Sequence, residues 1–93
     1  MDKTSEIKEL TKKAEILKAI AHPVRLCIVK NLIDINSCNV STMQSCLDMP
    51  QSTVSQHLAK LKSAGIIEGE RNGVEIIYKV VNDQVRKVIE VIT

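Results

Sequence analysis

PQSTVSQHLAKLKSAG, Pro50 to Gly65, is the segment from which the rest of the 93-residue chain can be understood. Laid on a helix, Val54, Leu58, Leu61 and Gly65 fall at i, i+4, i+7 and i+11 on one narrow face, while Ser52, Gln56, Ala59, Lys60 and Ser63 face the opposite way. One side is built to pack and the other is left free. The free side carries hydroxyl, amide and cationic groups and no carboxylate, the chemistry with which a helix lies beside phosphates and base edges. The segment reads as a DNA-recognition helix.

Just upstream, Val40, Met43, Cys46 and Leu47 are spaced for a short helix from about Ser41 to Leu47, and Asp48-Met49-Pro50 breaks it. Two helices joined by a tight turn over residues 41–64, the second with a polar outer face, form a helix-turn-helix. Downstream, Gly65 is placed to cap the second helix. IIEGERNGVEIIYKVV then gives two extended runs about Asn72-Gly73, a dipeptide suited to a two-residue type I′ hairpin turn. Ile67, Ile76, Tyr78 and Val80 supply the packed faces of this hairpin over residues 66–81. The expected fold is therefore α+β and mostly helical, a winged helix-turn-helix with a two-stranded wing, forming one domain over residues 1–93. Arg71 and Asn72 sit at the expected tip, placed to reach a neighbouring groove or phosphate, or serving only as turn chemistry.

Residues 5–21 predict a first helix in which Ile7, Leu10, Ala14, Leu17 and Ala21 alternate three- and four-residue steps, the spacing of a helix-helix seam. Ile16 and Ile20 form a second strip. One strip suits the domain's own core and the other a partner chain, the alternative being that both are core. Pro23 lacks a backbone donor and is tolerated in a first turn, so helix two starts there. Its Leu26, Val29 and Ile33 stripe, widened by Val24, Ile28 and Leu32, is buried, leaving Arg25 and Lys30 to phosphate or solvent. Asp34 to Asn39 reads as a polar loop. The last helix, residues 83–92, carries Val85, Val88, Ile89 and Ile92 on one strip and follows a capping Asn82 or Asp83. So short a helix, rich in β-branched residues, must dock on something.

The composition narrows the function. Tyr78 is the only aromatic residue, which argues against single-strand binding by base stacking. Net charge is +2, so DNA affinity must come from where the cations sit. MDKTSEIKEL has no apolar core of the signal-peptide kind, and no run approaches membrane-spanning length; the expected location is the cytoplasm. There the three cysteines are reduced thiols, and the absence of a C-x-x-C pair argues against a disulfide framework or zinc knuckle. Cys46 is expected on the apolar side of the third helix. Cys38, in a polar loop, and Cys27, between Lys30, Asn31 and Asp34, are candidates for a thiol that senses redox or reactive sulfur species.

At AHPVRLCIV, PQSTVSQHLAKLKSAGIIE and GERNGVEIIYKV the chain resembles the ArsR/SmtB family of bacterial winged-helix repressors. The order of elements matches from about residue 8 onward, and the QSTVSQHL run is the specific part. The resemblance implies a homodimer that binds operator DNA, with an interface from the first and last helices; here that means Ile7, Leu10, Ala14 and Leu17 with Val85, Val88, Ile89 and Ile92. It also implies DNA contacts from Gln51, Ser52, Thr53, Ser55, Gln56, His57 and Lys60. Gln56 has the amide that pairs bidentately with adenine. Ser52, Thr53 and Ser55 suit phosphates at a helix N-terminus. His57 lies on the flank of the packed face, so a structural hydrogen bond competes with DNA contact. Lys60 and Arg71 add charge; Lys62 sits on a flank. The family's sensing sites are where this chain departs. The positions of its C-x-C thiol pair are Asn39 and Ser41, which cannot bind a soft metal as thiolates do. Of the last-helix metal site only Asp83 survives, beside Arg86 and Lys87.

An enzyme is not expected. The two histidines have no acid or nucleophile at motif spacing, and there is no phosphate-binding glycine loop. No cofactor, metal, membrane or small-molecule substrate is called for. The expected function is a sequence-specific, dimeric DNA-binding repressor of the ArsR type on an imperfect palindrome, with duplex operator DNA and a second copy as partners. The competing readings are a winged-helix protein-interaction module and a thiol-responsive repressor using Cys27 or Cys38.

Overall fold

The computed structural model describes residues 2–93, so residue 1 of the expected domain lies outside it. Five helices and three strands follow one another as α1 (Lys3–Ile20), α2 (Pro23–Ile35), β1 (Cys38–Asn39), α3 (Val40–Leu47), α4 (Gln51–Ser63), β2 (Ile67–Asn72), β3 (Glu75–Val80) and α5 (Asp83–Ile92). The architecture is mostly helical α+β with a winged helix-turn-helix at its centre.

Side-chain caps set several of the helix starts. Asp2 accepts a hydrogen bond from the Ser5 amide at 2.8 Å, Asn39 from Thr42 at 2.8 Å, and Asn82 from Val85 at 3.0 Å. Pro23 opens α2 as its sequence position predicts. At the end of α4 the Gly65 amide donates to the Lys62 carbonyl (3.0 Å) and the Ile66 amide to the Leu61 carbonyl (3.0 Å). With Gly65 at φ +74°, this is a Schellman cap, and Ile66 and Leu61, the two positions that flank it, are both buried in the core.

The sheet departs from the expected two strands. Its order is β1-β3-β2, all antiparallel, because Cys38 and Asn39 pair with Tyr78 and Ile77. The segment expected as a polar loop thus ends α2 at Ile35, turns at Asn36 (φ 78°) and enters a two-residue strand too short to carry its own pattern. The wing turn also differs. Asn72 is the last residue of β2, opposite Glu75, so the two loop residues are Gly73 and Val74. Positive φ occurs at Gly73 (67°) and not at Val74, the signature of a type II′ rather than a type I′ turn.

The core is wholly aliphatic at its centre. Ile28 and Leu32 of α2, Leu58 and Leu61 of α4, Ile66 and Ile67 at the wing base and Ile89 of α5 are all fully buried. Ile28 and Leu32 of α2 and Leu58 and Leu61 of α4 sit inward where three- and four-residue spacing put them. Within the hairpin, Ile67 and Val80 are buried but Ile76 is 39% exposed, so the wing leaves the core as it extends. No helix among the described residues is long and apolar enough to cross a membrane.

Candidate nucleic-acid interface

The α4 helix buries Val54, Leu58 and Leu61 and exposes Gln51, Ser52, Ser55, Gln56, Ala59, Lys60 and Ser63. Thr53 is half-buried. The N-cap, Pro50, offers no side-chain acceptor; its carbonyl takes the amides of Thr53 (3.1 Å) and Val54 (3.2 Å). The first turn therefore keeps its positive dipole end free of any carboxylate, a setting that favours phosphate. Lys60 and Lys62 occupy the last turn, where cations suit the opposite end of the dipole.

His57 lies half-buried on the inner flank of α4. Its ring centroid is 4.7 Å from that of His22, and its Nδ1 is 3.3 Å from Nη1 of Arg25. A guanidinium can only donate, so Nδ1 of His57 is the acceptor and the proton of the neutral ring is on Nε2. Burial pushes the His57 pKa down, reinforced by His22, Arg25 and Lys60. Arg25 also donates through Nε to the Ala19 carbonyl at the end of α1. The expectation that Arg25 meets phosphate or solvent is corrected: it is half-buried and joins α1 to α4. Its partners stand 6 and 32 residues away, beyond any local pattern. Lys30, by contrast, pairs with Asp34 at 3.1 Å on the surface of α2.

On the wing, Arg71 and Asn72 are both exposed, in register with Ile76 and Glu75. Asn72 is a strand residue and not a turn residue. Val74, at the actual tip, is 99% exposed. Glu68, Glu70 and Glu75 also lie on the wing, and Glu75 accepts a hydrogen bond from the Asn39 amide at 3.0 Å.

The apolar seams divide unevenly. Ile7, Leu10 and Leu17 of α1 are more than half exposed and Ala14 is exposed, whereas Ile16 and Ile20 turn inward. In α5, Val85 and Ile89 are 1% and 2% exposed, packed in this chain's own core. They are corrected as partner-facing residues; Val88 is half-buried, and Val91 and Ile92 point outward.

Two of the three cysteines are placed differently from expectation. Cys38 is buried in β1, and burial raises its thiol pKa, which opposes thiolate chemistry. Cys46 is exposed rather than part of the apolar side of α3. Cys27 is exposed, with the Asn31 amide 3.7 Å from its sulfur. Asn39, at one position of the family's thiol pair, uses its side chain to cap α3 and to hold Glu75. Among the described residues no three His, Cys, Asp or Glu side chains cluster as a metal site.

Residues 22–69 match the family model described as bacterial regulatory protein, arsR family. The chain is 39% identical over 92 residues to the transcriptional repressor PagR of Bacillus anthracis, spanning 99% of this chain and 92% of PagR. The crystal structure of PagR superposes with a TM-score of 0.86, covering 94% of this chain and 99% of that one. The repressor SmtB of Mycobacterium tuberculosis is 40% identical over 75 residues, 81% of this chain and 55% of SmtB. The homodimeric winged helix-turn-helix domain Mb0332 of Mycobacterium bovis, solved in solution, is 26% identical with a TM-score of 0.83, covering 99% of this chain and 82% of that one.

Proposed function

The chain belongs to the ArsR family of bacterial regulatory proteins, and we propose that it represses transcription as a homodimer that presents two copies of α4 to successive major-groove faces of an imperfect palindrome. The observation that carries this reading is the exposed face of α4, where Ser52, Ser55, Gln56, Lys60 and Ser63 stand together without a carboxylate. In this arrangement Gln56 reads a base, and Gln51, Ser52, Thr53 and Ser55 hold phosphates at the helix start. Lys60 and Arg71 add charge, and Asn72 supports the wing contact. His57 belongs to the interface through the packing of α4 rather than through its Nδ1, which Arg25 occupies.

The second copy is supported by the exposed strip Ile7, Leu10, Leu17 of α1 and by Val91 and Ile92 at the end of α5. Exposed aliphatic side chains of this number on one small chain favour a partner. The homodimeric state of Mb0332 points the same way. Two recognition helices would then sit about 34 Å, or one duplex turn, apart. The family's thiol and last-helix metal sites are absent from this reading, since Asn39 is committed to capping and Asp83 stands beside Arg86 and Lys87.

Selection of bound duplexes from a randomised pool tests the proposal, with sedimentation giving the stoichiometry. Two chains on one palindromic duplex, and affinity falling steeply as salt rises, are expected. A protein-interaction module would enrich no sequence and show no steep salt dependence.

A further inference from the structure

Behind the reading face of α4, two imidazoles and a guanidinium meet at the junction of three helices. Nδ1 of His22 accepts the Val24 amide at 3.1 Å and so caps α2. Nδ1 of His57 accepts Nη1 of Arg25 at 3.3 Å, and the same guanidinium holds the Ala19 carbonyl at the end of α1. Each ring therefore uses Nδ1 as an acceptor, which only the neutral imidazole can do. A proton on His57 removes its acceptor, and a proton on His22 removes the α2 cap.

We propose that Arg25, His57 and His22 act as positioning residues for the recognition helix, forming a proton-sensitive clamp whose release on acidification weakens duplex binding. The proposal rests on the DNA-binding reading above and deepens it. The groups that face His57 are His22 at the cap of α2, Arg25 in its first turn and Lys60 one turn along α4; each opposes a further positive charge. From α1 the Ala19 carbonyl meets Arg25, and Glu15 and Lys18 line the groove alongside Arg25 and Lys60. Glu15 is the one carboxylate of that groove, and it does not bond His57. Protonation of His57 thus places its imidazolium against the Arg25 guanidinium while removing the one hydrogen bond of the cluster that ties α2 to α4.

The direction of the effect is diagnostic. Added positive charge near a DNA surface ordinarily strengthens binding to phosphate, so a clamp is distinguished by weaker binding in acid. The probe is a fluorescein-labelled duplex recovered from the randomised pool at about pH 7.5, read by anisotropy, with circular dichroism confirming that each variant stays folded at each pH. Between about pH 7.5 and 5.5 the wild type is expected to lose about five- to tenfold in affinity, the lower range of coupling between sites. In His57→Asn the amide oxygen keeps an acceptor near the Nδ1 position at every pH, so the loss shrinks. In His22→Asn/His57→Asn, which retains a capping side chain at 22, the loss disappears. Arg25→Lys keeps the charge but cannot bridge both acceptors, and binds more weakly than wild type at the higher pH. Wild-type affinity that is constant or rises in acid would overturn the clamp, as would a double variant with an undiminished pH profile. A pool that yields no enriched duplex overturns the DNA-binding reading itself and the clamp with it, a failure distinct from a wrong pH profile on a bound duplex.

Discussion

Gln56 and Lys60 lie one turn apart on the exposed face of α4, and their chemistry separates two kinds of DNA contact. A glutamine amide that pairs with adenine distinguishes that base from others, so Gln56→Ala is expected to lower discrimination by about 1–3 kcal/mol at one position of the site. A lysine on phosphate carries no sequence information. Lys60→Ala should weaken all duplexes alike and reduce the salt slope by about one. Competition binding against single-base variants of the selected duplex checks both, and an unchanged preference in Gln56→Ala would remove that residue from base readout. His57 makes a different contribution. Its pKa is lowered in the folded chain, chiefly by burial, so the folded state favours the neutral ring. The stability this gives is full above the unfolded histidine value of about 6.5 and is lost as pH falls from there through the folded value. The midpoint of thermal unfolding should therefore drop on acidification across that window, and drop less in His57→Asn. Gln56 and Lys60 could be singled out from spacing alone because exposure is a local property of a helix. The role of Arg25 could not, since it depends on a carbonyl and an imidazole brought in from two other helices.

At the scale of elements, two turns test how backbone conformation holds α4 and the wing in place. Gly65 has φ +74° with open space around its missing Cβ, so Gly65→Ala meets no clash and pays only for conformation. That cost is about 1–2 kcal/mol, offset by about 0.4–1 kcal/mol from a stiffer unfolded chain, and the net loss is about 1 kcal/mol. Asn36 at the end of α2 has φ 78° and ψ −46°, outside the left-handed helical well. Asn36→Gly relieves that strain and should gain about 1 kcal/mol after the entropy of glycine is counted. For a chain of this size each change corresponds to roughly 4–8 °C. Melting at one fixed chain concentration should move in opposite directions for the two variants, and movement in the same direction would refute the account. The same elements show what periodicity can reveal. Val54, Leu58 and Leu61 are buried where helical spacing put them. β1 was invisible because a two-residue strand exists only by pairing with β3, and the wing turn shifted by one residue because Gly73 satisfies either register of a two-residue loop.

Across the whole molecule the apolar residues exceed what one copy encloses, and their distribution decides how a second copy would dock. An amphipathic helix does not say whether its strip meets its own core or another chain; Val85 and Ile89 turn inward, while Leu10 and Leu17 are left 52% and 53% exposed. That difference makes α1 the place to test assembly without disturbing the fold. Leu10→Glu and Leu17→Glu put carboxylates on a surface that water already reaches in the single chain, so helix content should be preserved. In the proposed dimer each carboxylate would be carried into the apolar seam, where an unpaired charge costs several kcal/mol. The dimer dissociation constant should rise by at least about a hundredfold, since every 1.4 kcal/mol is tenfold. Loss of palindrome binding should follow, because a monomer holds one half-site and forgoes the gain from linking two. Sedimentation and duplex binding on the same samples separate the alternatives. A doubly substituted chain that remains dimeric would assign α1 to solvent and move the interface elsewhere. A monomer that keeps full affinity for the whole palindrome would show that α4 works alone, and that the exposed seam serves some purpose other than pairing two recognition helices.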